Sequence, residues 1–284
     1  MSQEPEGKVI PLHDSSSDRE EQERLRQQNA GLRNRMLART SISAAQGVLL
    51  ERYRLPSLGE AFDLLRHTSQ RHNVKLHTLA DAVLRTPGPD RDAHAWFPRR
   101  VRTAPPPLTG LARADHNDTA GPAGAVLGAA LDRVLDITQT PMGNVQLAEN
   151  GLLRMEKHTG LNRRFVDHFT FVDGPGTSCG RAAENRRQVT VRDVAAATVF
   201  DEESRRVILH AGSRACHSVP LLDERGAPLG VISSHHPRPL GGFTRAQLDA
   251  LETTGAVVGR WLSWHRRTVI RDALEDLHAT AQPA

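Results

Sequence analysis

The chain has 284 residues, a hydrophobic fraction of 38% and a formal net charge of +4. This length predicts two domains, and this composition is typical of a folded globular protein, which excludes a disordered or fibrous chain. The moderate positive charge allows nucleic-acid binding without indicating it by itself. No apolar run is long enough to span a bilayer and the first residues carry no signal-peptide pattern, so we expect a cytoplasmic protein with no membrane partner.

The N-terminal segment changes character at Asp18. Residues 1–17 are polar and end in a serine run, so we expect a disordered tail. The segment that follows is dense in Glu, Gln and Arg, with Leu25, Leu32 and Met36 as its apolar residues. Leu25 and Leu32 are seven residues apart, which is the spacing of a coiled-coil seam. The segment is therefore either a coiled-coil lead-in that pairs two protomers or a solvated charged helix that pairs with nothing.

Three short amphipathic helices are predicted next. Each has apolar residues three and four positions apart, the spacing that places them on one helical face. Ser57 with Glu60 three positions later forms a capping-box signature at the second helix, and Pro87 with Gly88 ends the third. We therefore expect residues 18–86 to hold an all-α three-helix bundle. The three apolar stripes are Ile42, Ala45, Val48 and Leu49; Leu58, Ala61, Phe62 and Leu65; and Leu76, Leu79, Ala80, Val83 and Leu84.

Residues 87–120 are rich in proline and glycine and keep no helical or strand period, so they are predicted to form a domain linker. Trp96 and Phe97 lie within it, and we expect this aromatic pair to dock on one of the domains. A second domain is predicted over residues 121–278, followed by a tail at 279–284.

The second domain alternates helices and hairpins. Its predicted order is a helix, a hairpin turning at Asn150-Gly151, further helices, a hairpin turning at Glu224–Gly226, and a closing helix from Thr244 to about Leu277. This order indicates an α+β domain with an antiparallel sheet and helices packed on it. Trp261 and Trp264 on the closing helix are candidates for a second dimer contact.

The helical segment resembles a known family, the ANTAR domain. The resemblance is carried in order by SISAAQGVLLER (41–52), EAFDLLR (60–66) and KLHTLADAVL (75–84). It implies an RNA-binding module of transcription antiterminators that binds paired hairpins in leader transcripts and acts as a homodimer, with the transcription machinery as a further partner. Gln46 stands where the family usually has a basic residue. The resemblance places the RNA-binding residues at Arg39, Ser43, Gln46, Arg66, His72 and Lys75.

The second domain is similar to GAF domains, which are sensory modules. The similarity is carried by MGNVQL (142–147), DGPGTSCGRA (173–182), VTVRDV (189–194) and HSVPLLDERGAPLGVIS (217–233). It implies an unidentified small-molecule ligand and no certain cofactor. Cys179, His217 and His235 are the candidate ligand-sensing residues. The order is unusual, because in many such proteins the sensor precedes the ANTAR domain.

Each chemical motif in this half has two interpretations. The Gly174-Pro-Gly176 loop before Cys179 has the composition of an anion-binding turn, but a helix-capping turn is favoured, since no phosphate-loop lysine follows. Cys179 is either a redox sensor with a lowered thiol pKa or an inert buried cysteine. His235 and His236 are adjacent in a strand, so at most one is expected to point inward.

Neither a metal site nor an enzyme is expected. Cys179 and Cys216 are the two cysteines of the chain, with no metal-type spacing, and no nucleophile stands beside a base. The sequence therefore predicts a multidomain RNA-binding antitermination regulator under the control of a GAF-like sensor. The alternative is a GAF sensor whose helical bundle serves only in dimerisation or protein interaction. An enzyme built on the GAF fold is the least supported interpretation.

Overall fold

The computed structural model describes residues 15–90, 93–111 and 123–282. Ser15–Ser17 of the predicted tail begin the first helix, and the rest of that tail lies outside the described residues. The helices are α1 (Ser15–Tyr53), α2 (Leu58–Arg71), α3 (Leu76–Arg85), α4 (Ala123–Thr138), α5 (Arg163–Phe169), α6 (Ser178–Asn185), α7 (Glu202–His210), α8 (Arg245–His265) and α9 (Arg271–Ala281). The strands are β1 (Met142–Glu149), β2 (Leu152–Thr159), β3 (Phe171–Val172), β4 (Val189–Val191), β5 (Ala215–Leu222) and β6 (Pro228–His236).

Helices α1 to α3 form the predicted bundle. Ala45, Leu49, Ala61, Leu65 and Leu79 are fully buried in one cluster, which confirms the central residues of all three stripes. The backbone N–H of Glu60 donates to the Ser57 side chain at 3.3 Å, so the predicted N-cap is present. Leu58 was wrongly assigned to the buried stripe: 54% of it is exposed, because it is the first residue of α2 and projects beyond the bundle.

The C-terminal helix joins this bundle. The sequence predicts one continuous closing helix. In the structure, the π-helical turn Arg266–Ile270 separates this segment into α8 and α9. A π turn adds a residue to the helical repeat and so rotates the face that follows it. As a result α8 packs on the sheet, whereas Ala273, Leu274 and Leu277 of α9 are buried in the same core as α1–α3.

The aromatic pair of the predicted linker docks on the same bundle. Trp96 is buried in the core of α1–α3 and α9, and its indole N–H donates to the carbonyl oxygen of Pro87 at 2.8 Å. The Glu275 carboxylate on α9 accepts hydrogen bonds from the backbone N–H groups of Trp96 and Phe97. The expected docking is therefore confirmed, and it ties the connection between the domains to α9.

The six strands form one antiparallel sheet in the order β3-β2-β1-β6-β5-β4. The first hairpin turns at Asn150 and Gly151, both with positive φ (48° and 79°), as a two-residue turn of this type requires. The second connects β5 and β6 through residues 223–227, with Gly226 at φ 76°. Both predicted hairpins are confirmed.

Both faces of the sheet are covered. One face packs against α4 and α8, around Val219, Ile232 and Trp261, and the other packs against α5, α6 and α7, around Phe165 and Val231. The two central strands β5 and β6 are therefore buried along most of their length. None of the helices in the described ranges is long and apolar enough to cross a membrane.

Candidate nucleic-acid interface

One face of α1 carries three of the predicted RNA-binding residues. Arg39, Ser43 and Gln46 are four and three positions apart, so they lie along one side of the helix. Arg39 and Ser43 are exposed, and Gln46 is half-buried. The Gln46 amide donates to the carbonyl oxygen of Leu58 at 2.9 Å. Gln46 therefore also links α1 to the start of α2, a role that needs an amide donor and no charge.

Arg66 on α2 is paired within its own helix. Its guanidinium donates to one oxygen of Asp63 at 2.9 and 3.2 Å, and 41% of its side chain is exposed. An exposed pair three residues apart stabilises a helix by only a few tenths of a kcal/mol. Arg66 is therefore able to exchange Asp63 for an external phosphate.

The other two predicted residues contact the C-terminal half. The Lys75 ammonium, at the start of α3, donates to the Glu156 carboxylate on β2. The Nε2 atom of His72 lies 3.3 Å from a carboxylate oxygen of Asp276 on α9, and Arg71 donates to the other oxygen of Asp276 at 2.6 Å. The structure thus separates the six residues into an outward-facing group on α1 and α2 and a pair held by acids of the C-terminal half.

A polar cluster continues the contact along α3. His77 Nδ1 lies 3.0 Å from Glu149 Oε2 on β1, and Thr78 Oγ1 donates to Glu149 Oε1 at 3.2 Å. Burial raises the pKa of Glu149, but hydrogen bonding and charge from His77, with Arg154 and Thr78, outweigh it and hold that pKa below its ordinary value. Glu149 is therefore a carboxylate that attaches α3 to the first hairpin.

A metal ion is not favoured in this cluster. One ligand atom each from His77, Glu149 and Glu156 lies within 4.8 Å of the others, which is a spacing that a cation accepts. Arg154, however, has its guanidinium 3.7 Å from Glu156 and 3.9 Å from Glu149, and Lys75 holds the remaining Glu156 oxygen. These two basic side chains already neutralise the two carboxylates.

The acids that hold α2 and α3 were not found from the sequence. Glu156 and Asp276 have no motif around them, and each resembles an ordinary solvated charge on a strand or helix. Only the packing of β2 and α9 against the bundle brings them to Lys75 and His72.

The candidate ligand-sensing residues do not form one pocket. Cys179 and His235 line a cavity of about 20 Å³ between the sheet and α5–α7, whereas His217 lies on the opposite face of the sheet, against Phe243. A cavity of this volume holds about one water molecule. It is too small for a metabolite, so the expectation of a ligand pocket among these three residues is not supported.

Cys179 lacks the properties of a redox sensor. It is buried, its sulfur lies 3.1 Å from Thr177 Oγ1, and burial raises the pKa of its thiol despite that contact. The same burial raises the pKa of Cys216 to about 12. Thr177 caps α6 by accepting from the Gly180 N–H at 3.1 Å, so the glycine-rich loop is the favoured helix-capping turn.

Both histidine candidates are buried and hydrogen-bonded. His235 contacts Ser213 Oγ at 3.0 Å and Asn144 Oδ1 at 3.1 Å, and burial lowers its pKa to about 3. His217 contacts Thr190 and Gln188, both at 2.8 Å, and burial lowers its pKa to about 4. His236 is also buried, but beside Phe243, whereas His235 lies beside Phe165 and lines the small cavity. The two adjacent histidines therefore point to opposite faces of the sheet, as expected, and both are covered.

The two predicted dimer contacts differ in exposure. Trp261 is fully buried and Trp264 is 6% exposed, with its indole N–H donating to Thr103 O at 2.8 Å, so neither tryptophan is available to a partner. The lead-in helix is different: Leu25, Leu32 and Met36 are 47%, 57% and 64% exposed. None of the three belongs to an apolar cluster of the described residues.

Several solved structures resemble the C-terminal half. The GAF domain of a phosphoenolpyruvate-protein phosphotransferase from Acinetobacter is 16% identical and covers 56% of this chain and 92% of its own, with a TM-score of 0.45. The corresponding GAF domain from Coxiella burnetii is 12% identical and covers 55% and 92%, with a TM-score of 0.45. A domain of a putative two-component sensor histidine kinase from Sinorhizobium meliloti is 21% identical and covers 47% and 85%, with a TM-score of 0.40. No curated protein matches the chain.

The family comparison assigns both halves. Residues 30–84, which contain most of α1, all of α2 and all but the last residue of α3, match the ANTAR domain, and residues 123–260 match the GAF domain. ANTAR domains are RNA-binding antitermination domains, and GAF domains are sensor domains. The chain therefore contains an ANTAR domain, of the RNA-binding class, followed by a GAF domain, of the sensory class.

Proposed function

We propose that this protein is an antitermination regulator whose ANTAR domain binds two paired hairpins in a leader transcript under the control of the GAF domain. The observation that supports it best is the ANTAR match together with the exposed side of α1 that carries Arg39 and Ser43. Arginine suits this role because its planar guanidinium donates two hydrogen bonds to a phosphate, and hairpin loops offer unstacked bases to short polar side chains.

Control by the GAF domain follows from the contact between the halves. Lys75 and His72 lie on the expected RNA-binding surface, yet Glu156 and Asp276 hold them. An RNA phosphate and the Glu156 carboxylate compete for the Lys75 ammonium. A signal that loosens the contact between the halves frees Lys75 and shifts the population toward the RNA-competent state. Bound RNA keeps a terminator stem from forming, so the transcription machinery continues.

Dimerisation is part of the same proposal. A transcript with two hairpins requires two ANTAR domains. The exposed seam of Leu25, Leu32 and Met36 on α1 offers the contact for a second copy. The interior of a coiled coil removes such side chains from water, which favours association. We further propose that the protein has no catalytic activity of its own and acts only by binding.

The test is a titration of the full chain with a two-hairpin leader RNA from its host at two salt concentrations, with a single-hairpin RNA as control. Binding that needs both hairpins and weakens steeply with salt is expected, because phosphate contacts release counterions. Equal affinity for the single hairpin, or affinity independent of salt, would overturn the proposal.

The same titration also tests a second candidate function. Gln46, His72 and Lys75 all have intramolecular partners, which favours a helical bundle that serves dimerisation or protein interaction without RNA. If the bundle has this second function, we expect dimers that form normally through Leu25 and Leu32, and no salt-sensitive RNA binding. An RNA titration combined with a measurement of the oligomeric mass therefore distinguishes the two functions.

A further inference from the structure

A cavity of about 430 Å³ lies between the two domains. Its walls come from α3 of the ANTAR domain, from α4 and the β1–β2 hairpin of the GAF domain, and from the α8–α9 junction. This volume falls within the range of small-molecule sites, whereas the cavity beside Cys179 and His235 is about twentyfold smaller. Two other hollows, of about 630 Å³ beside Arg260 and about 410 Å³ beside Arg192, are lined by the GAF domain, whereas this cavity is lined by both domains.

The cavity has an apolar wall. Leucine and isoleucine side chains from both the GAF domain and the α8–α9 junction line it: Leu127, Leu147, Leu262, Ile270 and Leu274. Ala82 of α3 faces the same space from the ANTAR side. A ligand with an apolar body would remove this surface from water, which is favourable in proportion to the area covered.

The charged part of the lining is predominantly basic. Six basic residues line the cavity, against the three acids Asp81, Glu149 and Glu156: Lys75, Arg85, Lys157, Arg266, Arg267 and Arg271. The acids are already engaged, since Asp81 pairs with Arg85, Glu149 with His77, and Glu156 with Lys75. The balance that remains at the cavity is positive.

Three of these basic side chains form no ion pair with a carboxylate within the described ranges. One of them, Arg266, donates to the carbonyl oxygen of Ala148 at 2.9 Å, which leaves Lys157 and Arg271. Lys157 lies across α4, with its ammonium next to Gly124 and Gly128, where any side chain in place of glycine would meet it. The Arg271 guanidinium lies over the Phe97 ring, 5.0 Å from its centroid, a contact that leaves its N–H donors available. Both cationic side chains are therefore positioned to bind an anion.

We propose that this interdomain cavity binds a small organic anion, a carboxylate or phosphate on an apolar body, with Lys157 and Arg271 holding the charge. Its link to regulation rests on the proposed function: the wall includes Lys75 and Glu156, so a ligand here changes the contact that restrains Lys75. Binding of the anion itself requires no RNA.

The test uses two dyes with one aromatic skeleton, 1-anilinonaphthalene-8-sulfonate and the uncharged N-phenyl-1-naphthylamine, titrated into the RNA-free full chain by fluorescence. We expect one saturable site for the sulfonate. Lys157→Met should weaken sulfonate binding at least fivefold with little effect on the neutral dye. Ala82→Phe, which fills the cavity, should weaken both dyes.

The matched control is Arg260→Met, which removes an exposed arginine from a separate groove formed with Glu252 and Pro220. It should leave sulfonate binding unchanged. Sulfonate binding that persists in Lys157→Met, or that is lost only in Arg260→Met, would overturn the proposal. Thermal melts of each variant distinguish loss of the site from loss of the fold, and Lys157→Met keeps the test valid if Ala82→Phe does not fold. Failure of RNA binding leaves this result unaffected.

Discussion

Lys75, at the start of the third ANTAR helix, forms an ion pair with Glu156 on the second strand of the GAF sheet. The lysine side chain is 56% exposed, whereas the glutamate side chain is 3% exposed. The carboxylate is therefore fixed by the GAF domain, and the ammonium is the group that is able to move to another partner.

Glu156→Gln is expected to raise the affinity for two-hairpin RNA, because it releases the Lys75 ammonium without removing it. We expect an increase of about threefold, the scale of a partly exposed ion pair. Lys75→Gln should lower the affinity. Filter binding or fluorescence anisotropy measures both. Glu202→Gln, which breaks the exposed pair with Arg205 on α7, is the control and should change nothing. An unchanged affinity in Glu156→Gln would contradict competition between Glu156 and RNA.

Arg39→Glu is expected to weaken RNA binding about tenfold at low salt and to reduce the dependence on salt by about one to two counterions, since it replaces a phosphate contact by a repulsion. Arg163→Glu makes the same charge change on α5, where the side chain is 94% exposed, and serves as the control. RNA titrations over a salt series give both values. Equal losses in the two variants would mean that total charge, and not the α1 face, determines binding.

The double substitution Leu25→Asp and Leu32→Asp is expected to convert a dimer to a monomer, because it places charges in the seam between two α1 helices. Light scattering coupled to gel filtration measures the mass. Val101→Asp is the matched control, since Val101 is 82% exposed and lies outside that helix. A wild-type chain that is monomeric at micromolar concentration would contradict dimerisation through this seam.

Acidification below pH 6.5 is expected to destabilise the GAF domain. Burial lowers the pKa of His217 and His265 to about 4 and that of His235 to about 3, so the unfolded chain binds more protons than the folded chain between those values and 6.5. The contribution of these buried histidines to the free energy of unfolding is fully present above pH 6.5. It decreases as the pH falls, by up to about 2 kcal/mol per histidine at pH 5.

The pH effect is measured by chemical unfolding at pH 7.5, 6 and 5. In His235→Gln, in which the amide still reaches toward Asn144 and Ser213, the decline should be smaller than in the wild type. A decline of equal size in the variant would show that His235 does not contribute.

Gly259→Ala is expected to reduce the free energy of unfolding by about 3 kcal/mol, as overpacking in a core does. A Cβ at Gly259 would lie 2.0 Å from the Leu222 carbonyl oxygen, because α8 passes directly over β5. Gly47→Ala is the control: it lies within α1, and the added methyl would meet nothing within 4 Å beyond its own helix backbone. It should stabilise the helix by roughly 0.5–1 kcal/mol. Denaturant unfolding compares the two. Similar effects in both variants would contradict a close approach of α8.

The sequence by itself determined the local structure. The helical stripes around Ala45, Leu65 and Leu79, the cap at Ser57 and the Asn150-Gly151 turn all depend on residues a few positions apart, and all are present. Ordered sequence runs also indicated both domain families, the ANTAR domain through residues 41–84 and the GAF domain through residues 142–233, and the family comparison confirms both. These features were predictable because periodicity, capping and turn chemistry act within one element.

Only the tertiary structure decided which polar and charged side chains are available to an external partner. Lys75 meets Glu156 across 81 positions and Arg71 meets Asp276 across 205, separations at which no local pattern specifies a partner. The attachment of α9 to the ANTAR core, the burial of both His235 and His236, and the cavity between the domains follow from how whole elements pack. A sequence pattern of charge or hydrophobicity indicates whether a side chain will be buried or paired. The packing of elements that are distant in sequence determines which residue becomes its neighbour.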